Sequence, residues 1–202
     1  MQQSELKEAL KEEGADLVGI TTCKKYFPEY TTAVIIGVSA LRIYHLKRKD
    51  TMQAMNEIMD YLNVYTRQLL ITEGFGTWGS LFSQEEFSRS RNYVPHRELA
   101  LRAGLGVIGK NFLLITPQFG PRIQLTTVLT TMPLLPDPLL SFDPCKTCTT
   151  CVDHCPTGAL KDCFHQELCT RCYRCVLACP VGGDFHEMQL YAETIPSIWT
   201  TR

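Results

Sequence analysis

Ten cysteines stand in a chain of 202 residues, and eight of them fall into two sets with one spacing. Residues 143–160 read DPCKTCTTCVDHCPTGAL, and residues 168–183 read LCTRCYRCVLACPVGG. Each set is C-x2-C-x2-C-x3-C followed by proline. Three closely spaced thiolates suit three corners of one iron–sulfur cube. In two-cluster proteins with this spacing, the fourth cysteine, set off by three residues and followed by proline, ligates the other cube. The spacing therefore predicts one [4Fe-4S] cluster on Cys145, Cys148, Cys151 and Cys179, and a second on Cys169, Cys172, Cys175 and Cys155. Zinc needs only four ligands per site and gives no reason for the third cysteine or the proline. Disulfides give no reason for the repeat, and the N-terminus MQQSELKEALKEEG has neither an apolar h-region nor a twin-arginine signal. Cys23 and Cys163 are left over. Cys23 reads as a small buried residue, and Cys163 as a bystander between the sets.

Residues 103–122, AGLGVIGKNFLLITPQFGPR, carry the other concentration of special residues. G-L-G-V-I-G fits a dinucleotide fingerprint, but that motif follows a strand and opens a helix. Here it follows a helical stretch and leads into a strand. The glycines still imply a tight turn or a close approach of backbone to something.

The elements that must position these residues can be read from pattern. Residues 4–13 predict a helix capped by Ser4 and stopped by Gly14. DLVGIT and AVIIGVSA are short Val- and Ile-rich runs, predicted as buried strands. Asp50 and Gln53 open a long helix in which Met52, Met55, Met59, Leu62, Leu69 and Leu70 recur at helical spacing, as core rather than cofactor residues, and Gly74 ends it. Residues 74–93 read as a long polar loop with Trp78, Phe82 and Phe87 inside it. Pro95 starts a helix through Arg102, closed by Gly104. FLLIT and IQLTTVLTT are further strands. MPLLPDPLLSFDP (132–144) carries four prolines and predicts no regular element. The expectation is an α/β or α+β fold with domains at 1–135 and 136–202.

Net charge is -1, with 20 Lys and Arg against 21 Asp and Glu. No basic excess points to nucleic acid. No apolar run reaches the roughly 18 residues of a membrane span. The expected location is cytoplasmic.

The stretch RAGLGVIGKNFLLITPQFGPRIQLTTVLTTMPLLPD, the proline-rich link and CKTCTTCVDHCPTGAL together resemble the core shared by epoxyqueuosine reductases and reductive dehalogenases. GADLVGIT resembles the start of the former. The resemblance is dense over 95–160 and thinner over 10–90. It implies a nitroreductase-like domain holding cobalamin, fed with electrons by a bacterial-ferredoxin-like module with two [4Fe-4S] clusters. It implies a corrinoid lined by Gly104, Leu105, Gly106, Gly109, Lys110 and Asn111, and by Thr116, Pro117, Phe119, Gly120, Pro121 and Arg122. Tyr93 and His96 are the expected proton donors, and Arg122 the expected cofactor anchor. The sequence also departs from the family. Counting back thirteen residues from Ala103, where epoxyqueuosine reductases carry a catalytic Asp, gives Ser90. Ser83, Gln84 and His96 match the short relatives instead.

These readings lead to a cytoplasmic reductase-like oxidoreductase that is not an epoxyqueuosine reductase. Its clusters reduce a corrinoid, for chemistry on a small substrate or to reactivate a corrinoid protein. The expected electron donor is a ferredoxin or flavodoxin. A homodimer would help enclose the cofactor. FMN on the same fold, or a ferredoxin-like carrier without catalysis, are the alternatives.

Overall fold

The structure is a computed structural model that describes residues 1–40, 51–79 and 94–183. It divides into two compact units. The first, the sheet unit, is Met1–Leu105 with Ile123–Leu140; the second, the cysteine unit, is Gly106–Arg122 with the chain from Ser141 onward.

In the sheet unit, α1 (Gln3–Glu12) buries Leu6 and Leu10. Its cap lies two residues before the expected Ser4: the Glu5 carboxylate accepts the Gln2 N–H at 2.6 Å. Gly14, at φ 109°, stops the helix as its sequence position predicts. β1 (Leu17–Thr22) and β2 (Thr32–Ser39) follow, and every residue of β2 is buried. α2 (Thr51–Thr72) turns Met55, Met59, Leu62 and Leu70 into the core. Gly74, at φ 86°, follows its end, and Asp50 lies outside the described residues. β3 (Thr77–Gly79) sits inside the stretch expected to be loop; Phe82 and Phe87 lie outside the described residues. α3 (His96–Arg102) ends at Gly104, which holds φ 66°.

β6 (Ile123–Thr130) completes a four-stranded sheet in the order β1-β2-β6-β3. All three pairings are antiparallel, so the mixed architecture is of the α+β kind. Successive β6 side chains point to opposite faces. Thr126 accepts a hydrogen bond from Asn63 Nδ2 on α2 at 2.9 Å, and Thr127 Oγ1 meets His96 Nδ1 on α3 at 2.8 Å. The two helices therefore cover opposite faces of the sheet.

The proline-rich link forms no regular element, as its prolines predict, but it belongs to the sheet unit as far as Leu140. The Asp137 N–H donates to Ile20 O at 2.8 Å, its carboxylate accepts the Ile20 N–H at 2.7 Å, and Lys7 Nζ lies 2.5 Å from it. A Cβ on Gly104 would come 2.1 Å from Pro138 O. The single boundary expected at 135/136 is corrected on two counts: the link is bonded to β1, and residues 106–122 leave the sheet unit altogether. Among the described residues, no helix is long and apolar enough to cross a membrane.

Candidate metal centre

The cysteine unit is built on a small scaffold from residues 106–122. β4 (Val107–Ile108) pairs with β5 (Leu114–Ile115) as a hairpin. Its turn is closed by Gly109 N–H to Leu113 O at 2.9 Å, and Asn111 Oδ1 accepts the Leu113 N–H at 3.1 Å. Next, Thr116 and Gly120 exchange both backbone hydrogen bonds, at 3.0 and 2.8 Å. Thr116 Oγ1 accepts the Phe119 N–H at 3.1 Å. The result is a tight loop at Pro117–Phe119.

Two cations reach from this scaffold to the cysteine loops. Lys110 Nζ donates to Cys148 O at 2.9 Å and to Lys146 O at 3.5 Å. Arg122 is 2% exposed. Its Nη1 donates to Val176 O and Cys179 O, both at 2.9 Å, and its Nη2 donates to Val181 O. Burial lowers the guanidinium to about 10, so it stays charged at neutral pH.

Cys145, Cys148, Cys151 and Cys179 line one small cavity with Lys110 and Ile115. Three come from the first set, around α4 (Thr150–Asp153), and the fourth ends the second set after α5 (Arg174–Leu177). Burial raises the Cys151 thiol, and Cys145, Cys179 and Cys148 raise it further as neighbouring negative charges. Burial raises Cys179 too, opposed by the Val181 N–H and by Arg122. Cys175 is pushed up to about 11, by burial first and then by Cys151, Cys172, Cys169 and Cys155. Cys155, which the crossed spacing assigns to the second set, is among the thiols that act on Cys175. Four thiols around one cavity, with a buried cation and N–H donors beside them, fit the donor set of a [4Fe-4S] cluster. Cys23 is fully buried and its thiol is pushed up to about 11 by burial, which makes it inert.

The residues expected to line a corrinoid are otherwise engaged. A Cβ on Gly106 would come 2.4 Å from Ile115 O, and one on Gly120 would come 2.1 Å from Val181 O. The close approach that these glycines permit is to the protein's own backbone. Gly104 ends α3, and Leu105 packs over Gly19. Gly109, Asn111 and Thr116 shape the hairpin and loop, while Lys110 and Arg122 hold the cysteine loops by their carbonyls. Arg122, expected as a cofactor anchor, donates from Nη1 and Nη2 to three backbone carbonyls.

Gly120→Ala tests this reading. At φ 56°, with Val181 O in the way, alanine must displace the loop that carries Cys179. The expected outcome is lower iron content after anaerobic reconstitution, with the helical circular dichroism signal kept. Full iron content would show that the contact is dispensable.

His96, expected as a proton donor, lies on α3 with its Nδ1 against Thr127 Oγ1. It is half-buried, and burial lowers it to about 4, so its imidazole is neutral near pH 7. Between about 6.5 and about 4 the unfolded chain takes up a proton there that the folded chain refuses. Stability contributed by the neutral ring is therefore lost as pH falls through that window, by on the order of 3 kcal/mol at the acid end. The wild type should lose this stability and His96→Gln should not; parallel pH profiles would exclude His96 as the source. Tyr93, Ser83, Gln84 and Ser90 lie outside the described residues.

No family model matches the chain. Individual proteins do. The epoxyqueuosine reductase of Bacillus subtilis is 32% identical over 159 residues, 63% of this chain and 40% of that protein. The tetrachloroethene reductive dehalogenase of Sulfurospirillum multivorans is 42% identical over 66 residues, 31% of this chain and 13% of that protein. The chain is a relative of the epoxyqueuosine reductases and reductive dehalogenases. It spans about two fifths of the length of the Bacillus subtilis relative. Among solved structures, an epoxyqueuosine reductase with an epoxyqueuosine-modified tRNA stem loop matches with TM-score 0.69 at 21% identity, over 91% of this chain and 66% of that one. A reductive dehalogenase described with a mechanism for B12-dependent dehalogenation matches with TM-score 0.67 at 20% identity, over 94% of this chain and 34% of that one. Both likenesses show the fold.

Proposed function

We propose that this chain holds two [4Fe-4S] clusters and serves reductive chemistry. The observation that carries the reading is the crossed quartet: Cys179 joins Cys145, Cys148 and Cys151 around one cavity, held there through the Arg122 guanidinium. Each cluster, when bound, supplies one-electron transfer. The cysteines hold it, Lys110 and Arg122 fix the loops that carry them, and those two cations offset the negative charge of the thiolates. The adjacency of Cys151 and Cys175 supports passage of electrons between the two sites. A ferredoxin or flavodoxin is the proposed donor.

The acceptor is the finer part of the proposal. Kinship with reductive dehalogenases, one of them described as B12-dependent, supports a corrinoid. No residue is assigned to it, because the residues read from the sequence as its lining are engaged elsewhere. Ser90 at the position counted for the reductases' Asp supports a substrate other than epoxyqueuosine.

Anaerobic reconstitution followed by metal analysis tests the clusters: about eight iron and eight sulfide per chain are expected. Stoichiometric zinc in protein prepared without oxygen would overturn them. Separate titrations with cobalamin and FMN then decide the acceptor, and turnover of queuosine-deficient tRNA would overturn the substrate reading.

A further inference from the structure

Cys163, left over by the cluster spacing, does not stand alone. It lies on the loop between the two cysteine sets, exposed, with its Sγ 3.4 Å from His165 Nε2. The same Nε2 lies 2.8 Å from Asp162 Oδ1. The three ligand atoms all fall within 4.8 Å of one another. Zinc bonds of about 2.0–2.3 Å at tetrahedral angles put ligand atoms about 3.3–3.6 Å apart. The Cys163–His165 edge already has that length, and the Asp162–His165 edge must open by about half an ångström. We propose that Asp162, Cys163 and His165 bind one zinc-like divalent cation, with the fourth position open to water.

Three observations support preorganisation. His165 Nδ1 lies 3.3 Å from Glu167 Oε1, the carboxylate–histidine arrangement that fixes ring and tautomer with Nε2 left for the metal. The Asp162 carboxylate is pinned by the Cys163 N–H at 3.0 Å. The loop backbone is tied by His165 N–H to Ala159 O at 2.9 Å and by Lys161 N–H to Gly158 O at 3.1 Å. Access is open, because Asp162 and Cys163 border a surface hollow walled by Phe112, Phe164 and Lys161. A soft thiolate, an imidazole and a single carboxylate select zinc or cobalt over magnesium or calcium. Binding displaces two protons to solvent, the thiol proton of Cys163 and the Nε2 proton that His165 shares with Asp162, while the Nδ1–H keeps its bond to Glu167. Three ligands on an exposed loop make an exchangeable site, unlike a closed structural one.

The test uses Co2+ as an optical stand-in for Zn2+, added to anaerobic, cluster-loaded protein. Iron content, measured first, reports separately on the cluster reading. The wild type should bind one more equivalent of Co2+ than Cys163→Ser. That equivalent should show a thiolate-to-metal charge-transfer band and should be displaced by Zn2+. Because the comparison is a difference between two proteins, it can be read whether or not the clusters load. His165→Asn should abolish the band, and Glu167→Gln should weaken binding by about 10- to 100-fold while keeping it. Cys163→Ser and His165→Asn should leave the iron content unchanged. A wild type without the band, or a titration identical to that of Cys163→Ser, would overturn the site and leave His165 as a surface partner of Asp162 and Glu167.

Discussion

Arg122→Ala is expected to lose about half the iron, from about eight to about four per chain. The guanidinium is buried and donates to the carbonyls of Val176, Cys179 and Val181. Hydrogen bonds from a charged donor are worth on the order of 1.5–3 kcal/mol each, and their loss leaves acceptors without partners. Val176 O lies in α5, and Cys179 O and Val181 O in the turn that follows it and carries Cys179, the one member of its quartet supplied by the second set. Freed from Arg122, that turn no longer holds the fourth thiolate, and three ligands retain a cube poorly. Arg122→Lys should be intermediate at best, since one ammonium cannot reproduce the fork. Iron and sulfide analysis after anaerobic reconstitution measures the loss. Thiol alkylation should find Cys155, Cys169, Cys172 and Cys175 still protected. Full iron in Arg122→Ala would return Arg122 to the cofactor role that its sequence context suggested.

Cys155→Ala should also halve the iron, but at the other site. Cys155 follows Cys151 by four residues, so a local reading would assign it to the first quartet. The cavity takes Cys179 in that place, and Cys155 acts on Cys175 together with Cys169 and Cys172. In the variant, Cys169, Cys172 and Cys175 should become open to alkylation while Cys145, Cys148, Cys151 and Cys179 stay protected. The reverse pattern would refute the crossed assignment and with it the argument about Arg122.

What could be read from the sequence follows the range of the interactions involved. The cysteine spacing carries its own ligation pattern, because x2-x2-x3-Pro is a local geometric requirement. The Val- and Ile-rich runs of β1 and β2 and the glycines at 14, 74 and 104 are local signals too, and the structure agrees with each. β3 escaped because three residues in a polar stretch have no visible period; only pairing with β6 makes them a strand. The α1 cap moved from Ser4 to Gln2 because Glu5 supplies the reciprocal bond. Asp137 gave no sign of being tied to Ile20, a contact across more than a hundred residues. The glycines of 104–120 showed that backbone comes close to something without showing what. Their partners are backbone of the chain itself: Ile115 across the β4–β5 hairpin, and Pro138 and Val181 farther along the sequence. Arg122 likewise read as an anchor, and its donors hold carbonyls of the chain itself.

The bond from Arg122 to Cys179 spans 57 positions of chain. During synthesis, Lys110 and Arg122 leave the ribosome before any cysteine of either set, and the Cys145 quartet stays one ligand short until Cys179 appears. Chain closure over such distances is slow compared with local turns. For that interval the early thiols stand open to oxygen and to stray metal ions. The timing of iron delivery relative to translation therefore bears on how much of this protein matures intact.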